Sequence, residues 1–116
     1  IVKYLVENGS DINEKDNEGG KSLLFACENG HFDIVKYLVE NGSDINEKDN
    51  EGFTSLILVS RNGHFDIVKY LVENGSDINE KDNKGCTSLI LASYNGHFDI
   101  VKYLVENGCD INEKDN

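Results

Sequence analysis

The run His64-Phe65-Asp66-Ile67-Val68-Lys69-Tyr70-Leu71-Val72-Glu73-Asn74-Gly75 decides the fold, because this chain of 116 residues contains it three times. Identical copies begin at His31 and His97, which sets a period of 33 residues. After one further residue each copy continues as DINEKDN, and the chain opens on the second half of the same unit, IVKYLVENGSDINEKDN. The period divides the sequence into half a repeat at 1–15, full repeats at 16–48, 49–81 and 82–114, and two residues of another at 115–116. Strict self-similarity at this spacing is the signature of a repeat architecture, in which each unit buries its apolar face only against its neighbours.

The unit at 49–81 reads locally as follows. Asp49-Asn50-Glu51-Gly52 is turn chemistry, since Asp and Asn bond nearby backbone and Gly supplies a positive φ. Thr54 is placed to cap a first helix that carries Leu56, Ile57, Leu58 and Val59 and stops at Asn62-Gly63. A second helix is predicted from Phe65 to Glu73. Its apolar residues Phe65, Ile67, Val68, Leu71 and Val72 follow helical spacing, and Gly75 ends it. Asp66 falls in its first turn, where the helix dipole favours an acid. Asp77–Lys81 is an extended link. The fold class this predicts is an all-α repeat solenoid, with helix layers about 8–10 Å apart and the turns in a row along one edge.

The unit DNEGxTSLxxAxxNGHFDIVKYLVENGSDINEK resembles the ankyrin repeat, and the likeness runs through all 116 residues. The resemblance implies stacked helix-turn-helix units with projecting β-hairpin loops. It also implies a protein-protein interaction scaffold that binds through the hairpin tips and the concave face of the first helices. The sequence departs from the family's Thr-Pro-Leu-His signature, reading Lys21-Ser22-Leu23-Leu24, Thr54-Ser55-Leu56-Ile57 and Thr87-Ser88-Leu89-Ile90 instead. The proline that presets a first-turn φ is missing, and an aliphatic side chain replaces the histidine.

The units differ from one another almost wholly in the turn and first helix. Residues 31–48 and 64–81 are identical, and 97–114 differs only at Cys109. The sets Leu24/Ile57/Ile90, Phe25/Leu58/Leu91 and Ala26/Val59/Ala92 read as repacking of the core by side chains of similar volume. Three other sets are not conservative: Glu18/Glu51/Lys84 and Gly20/Phe53/Cys86 at the hairpin tip, and Glu28/Arg61/Tyr94 late in the first helix. These nine residues are the candidate partner-binding set, since Arg and Tyr are enriched at binding hot spots and Phe in interface cores. Drift at exposed positions is the competing explanation.

Composition narrows the function classes. The formal net charge is −11 and the isoelectric point near 4.5, so phosphate backbones are repelled and a protein with a basic or mixed surface is the fitting partner. No apolar run approaches the roughly 18 residues of a membrane span, so no membrane partner is expected. Cys27, Cys86 and Cys109 fall at three different repeat positions, which suits reduced thiols and an intracellular, cytoplasmic setting. Asn8, Asn41 and Asn74 match a glycosylation acceptor pattern but read as helix ends.

The sequence supplies no cofactor, metal or catalytic site. Gly20-Lys21-Ser22 lacks the earlier glycine of a phosphate-binding loop, because Lys15 stands there. Asp44-x-Asn46-x-Lys48 begins like a calcium loop, but Lys48 takes a ligand position and Asp49 that of the obligatory glycine. His31, His64 and His97 form a ladder whose rungs are about 10 Å apart by the stacking distance, too far to share one metal. No nucleophile motif and no isolated carboxylate pair breaks the repeat, so the chain is not expected to be an enzyme. It starts at Ile1, and neither end carries a polar cap, which reads as a segment of a longer array. The alternative function is a self-stacking assembly module with end-to-end self-association, or a passive spacer in a larger protein.

Overall fold

A computed structural model describes residues 16–108, with side chains from Lys21 onward. Six helices follow in pairs: α1 Asp16–Glu28 with α2 Phe32–Glu40, α3 Ser55–Asn62 with α4 Phe65–Glu73, and α5 Ser88–Tyr94 with α6 Phe98–Glu106. Each pair packs internally and against the next, which gives an elongated body of 45 × 24 × 20 Å. The second helices span the residues that the repeated run predicts. Ile1, Asn8, Lys15 and Cys109 lie outside the described residues.

Sequence fixes the helix ends through short side chains and glycine. Thr54 Oγ1 accepts from the Ile57 N–H at 3.2 Å, and Thr87 Oγ1 does the same for Ile90. Gly63 ends α3 in the left-handed region at φ +83°, and the His64 N–H donates back to the Val59 carbonyl. Asn41 and Asn74 close α2 and α4, each donating its side-chain amide to the carbonyl four residues earlier. Asp66 and Asp99 take up the next N–H in the first turns of α4 and α6.

The first unit departs from the expected plan. Lys21 stands where Thr54 and Thr87 cap the other units, so no short hydroxyl is available to stop the helix there. α1 instead runs back to Asp16 and takes in Glu18 and Gly20, where a hairpin tip was expected. In the other two units the tips are tight turns built on one aspartate. Asp49 Oδ1 accepts from the N–H groups of Glu51 and Phe53 at 2.9 and 2.8 Å, and Asp82 repeats this for Lys84 and Cys86. No strand forms among the described residues. The two tips are tied sideways by the Asn83 N–H to the Glu51 carbonyl at 3.0 Å and by its side-chain amide to the Asn50 carbonyl at 2.9 Å.

One continuous core passes through the stack. Leu23, Cys27, Val35, Leu38, Leu56, Val59, Ile67, Leu71, Ala92, Ile100 and Leu104 are all buried in it. Burial pushes the Cys27 thiol up to about 12, against a smaller opposing effect of its hydrogen bond with Ser55. Interlayer ladders run alongside: Phe32 meets Tyr70 edge-on at 5.6 Å, Phe65 meets Tyr103 at 5.8 Å, and Lys48 pairs with Glu80. The histidines do not cap their own helices. His97 Nε2 lies 3.0 Å from the Arg61 carbonyl oxygen of the preceding layer, which gives the ladder a structural role.

Candidate functional site

The aspartate-built turn carries Phe53 up beside α3, and α3 carries Arg61 to the same point one helical face away. Arg61 bridges two layers there. Its Nη2 is 2.8 Å from Glu28 Oε1 on α1, its Cζ lies 5.0 Å from the Phe53 ring centroid, and Asn62 beside it donates to the Glu28 carbonyl at 3.2 Å. Both partners of the ion pair are partly exposed, so the pair contributes about 0–1 kcal/mol. The contact of Arg61 with the ring adds about 0.5–1 kcal/mol. Arg61 is therefore held between the two layers by weak contacts.

These residues line a shallow, open cleft of about 350 Å³ between the first two units, with Lys21, Phe25, Glu28, Asp49, Glu51, Phe53 and Arg61 around Leu24 and Leu58. A second, smaller groove of about 130 Å³ lies on the far side of Phe53, where Glu51 and Phe53 face Asp82 and Lys84. Phe53 is the wall between the two. The lining combines an apolar floor, aromatic rings and charges of both signs. Asp49 spends its carboxylate on the turn itself, whereas Glu51 stands exposed at the rim of both hollows.

Five of the nine sequence candidates thus come together: Glu28, Glu51, Phe53 and Arg61 in the larger cleft, and Lys84 in the smaller groove it shares with Phe53. Tyr94 and Cys86 do not line either. Tyr94 continues the Glu28–Arg61 register one layer on and is 86% exposed, while Cys86 is half-buried on its turn. Glu18 and Gly20 fall in the first turns of α1, and their side chains lie outside the described ones.

One residue of the cleft escaped sequence reasoning. Phe25 was grouped with Leu58 and Leu91 as core, but it is 70% exposed, whereas Leu58 is buried and Leu91 half-buried. The helical course of residues 16–20 leaves no turn to fold over it, as the Asp49–Phe53 turn folds over Leu58. The signal was present: Lys21, Phe25 and Glu28 are spaced four and three apart, which places Phe25 on the polar face of α1.

Comparison with known families bears on the fold. The family model for ankyrin repeats, in three copies, matches the chain over residues 1–82 and again over 23–115. No curated protein is similar enough to this chain to count as a relative. No helix among the described residues is long and apolar enough to cross a membrane.

Proposed function

The chain belongs to the ankyrin repeat family, whose members are generally protein-protein interaction modules and typically non-enzymatic, and on that premise we propose that it binds a partner protein through the cleft at Phe53 and Arg61. The observation that carries this reading is the convergence of variable residues. The described second helices are identical in sequence, while four of the positions that differ between units, Glu28, Glu51, Phe53 and Arg61, meet in one hollow. The partner presents a basic or mixed surface. Net charge −11 draws cations, and Glu51 at the rim offers a carboxylate to one. An apolar side chain of the partner fills the space between Phe25 and Phe53, and Tyr94 extends the same face by one layer.

Affinity capture with mass spectrometry tests this, using the wild type, a Phe25→Ala/Phe53→Ala/Arg61→Ala variant, and Lys69→Ala on the exposed face of α4 as control. A protein held by wild type and control but lost by the triple variant supports the cleft, and single alanines there should each cost about 2 kcal/mol or more in binding. Equal recovery by all three chains removes the cleft from consideration.

A further inference from the structure

The smaller groove beside Phe53 lies between two described turns, Asp49–Phe53 and Asp82–Cys86, and those turns are locked together. The Asn83 N–H donates to the Glu51 carbonyl, and the Asn83 amide donates to the Asn50 carbonyl. Gly52, at φ +84°, packs under Asn83 so closely that a Cβ would stand 2.5 Å from Asn83 Oδ1. The walls are therefore set before anything binds. A volume of about 130 Å³ admits one side chain and not a helix, whose diameter is about 10 Å.

Three charged residues line this groove, and they are not equally available. Asp82 is 8% exposed, and its Oδ1 accepts from the N–H groups of Lys84 and Cys86. Glu51 has its N–H on Asp49 and its carbonyl on Asn83, which fixes its backbone at both ends. Its carboxylate is exposed and, among the described residues, makes no ion pair. Lys84 is exposed too and pairs with neither acid. Two acids against one lysine leave the groove net negative, within a chain of net charge −11. Phe53 supplies the apolar wall. Arg61 stands 5.0 Å from its ring centroid on the side of the larger cleft, already paired with Glu28. The side of the ring that borders the smaller groove is left for a second cation.

We propose that this groove is the subsite for one arginine side chain of the partner protein, its guanidinium against the Phe53 ring and paired with Glu51. The inference rests on the partner-binding reading of the neighbouring cleft. Arginine fits better than lysine, because its planar guanidinium stacks on a ring and gives a carboxylate two N–H groups at once. Lys84 then limits affinity by opposing the incoming cation. The earlier units carry Glu18 and Glu51 at this repeat position, so Lys84→Glu restores the residue of the repeat and removes the opposing charge.

Chemical-shift titration of the isotope-labelled whole chain with the peptide acetyl-Gly-Gly-Arg-Gly-Gly-amide tests the groove without the partner. The same peptide with lysine, or with citrulline as the uncharged isostere of arginine, serves for comparison. Amides of residues 51–53 and 82–84 should shift saturably with arginine, less with lysine and not with citrulline. Glu51→Gln should abolish the response. Lys84→Glu should tighten binding by up to about fivefold, the scale of one exposed ion pair, and a damaged fold does not produce a gain. No saturable shift, an equal response to citrulline, or weaker binding by Lys84→Glu overturns the proposal. A captured partner that is lost by the Phe25→Ala/Phe53→Ala/Arg61→Ala variant but held unchanged by Glu51→Gln overturns the groove alone and leaves the cleft standing. Equal capture by wild type and the triple variant removes the cleft and, with it, the partner's arginine, even where the peptide binds.

Discussion

α3 and α5 share the run Ser-Leu-Ile-Leu and the same threonine cap, yet they are not buried alike. In α3, the residues Leu56, Ile57, Leu58 and Val59 are all buried, since layers lie on both sides. In α5 the matching Leu89, Ile90 and Leu91 are half-buried, and only Ala92 is closed off. α4 and α6 repeat the lesson with identical sequences: Phe65 has Tyr103 against it, while Phe98 is exposed. Burial in this molecule is conferred by position in the stack. Among the described residues, the layer with neighbours on both sides is the one buried throughout its first helix, and the candidate cleft lies between it and the first layer.

The largest expected effect tests that contrast with one residue type. Ile57→Ala should cost about 2–5 kcal/mol in urea unfolding, the usual range for truncating a buried aliphatic side chain, and Ile90→Ala distinctly less. Equal losses at the two sites would break the comparison. Next comes the cap. Thr54→Ala removes the acceptor of the Ile57 N–H and should cost about 1 kcal/mol.

A change of similar size and opposite sign is expected at Ser60. Its hydroxyl is buried without a hydrogen-bond partner, while the first unit carries the buried Cys27 at the same repeat position. Ser60→Ala relieves an unpaired polar group and should raise stability by about 1 kcal/mol, read from the same unfolding curves. No gain there would mean that a water or neighbour satisfies the hydroxyl. The same reasoning makes Cys109 intelligible in the sequence, since it replaces the counterpart of Ser43 and Ser76, whose hydroxyls also lack partners.

At neutral pH the smallest effect belongs to Cys27. Its thiol is raised from 9.0 to about 12 by burial, so the folded state holds its proton where the unfolded chain releases it. The stability that this contributes is complete below pH 9 and is lost as pH rises from 9 towards 12. Cys27→Ala should flatten that alkaline decline. Thiol labelling of the folded chain near pH 8 should mark the half-buried Cys86 well before Cys27. Equal labelling rates would show that the core beneath α1 opens as readily as the Asp82–Cys86 turn.

How legible the molecule was in its sequence depends on where the signal sits. The second helices could be read to the residue, because a helical apolar spacing is bracketed by an acidic first turn and by Asn-Gly. The first helices of the second and third units were equally clear, since a threonine cap and a glycine end bound each one. The start of α1 is less legible, because Lys21 in place of the capping threonine removes the stop signal and the helix runs back to Asp16. The same lost signal hid Phe25, whose exposure follows from a turn that became helix.

For the site, comparison of the units with one another found Glu28, Glu51, Phe53 and Arg61 because variable positions in adjacent layers lie side by side. The Arg61–Glu28 bridge was not legible, since sequence gives no rotamer. Tyr94 and Cys86 sit at equivalent registers one layer on, where the buried Leu58 stands in place of the exposed Phe25 and Cys86 in place of Phe53.

Amide hydrogen exchange on the dilute wild-type chain measures most directly whether position in the stack decides what is rigid. α3 and α4 should exchange slowest, with α5 and α6 clearly faster despite their near-identical sequences. If α5 and α6 prove as protected as α3 and α4 at concentrations where the chain is monomeric, helix sequence and not layer position sets local stability, and the account of this array is wrong.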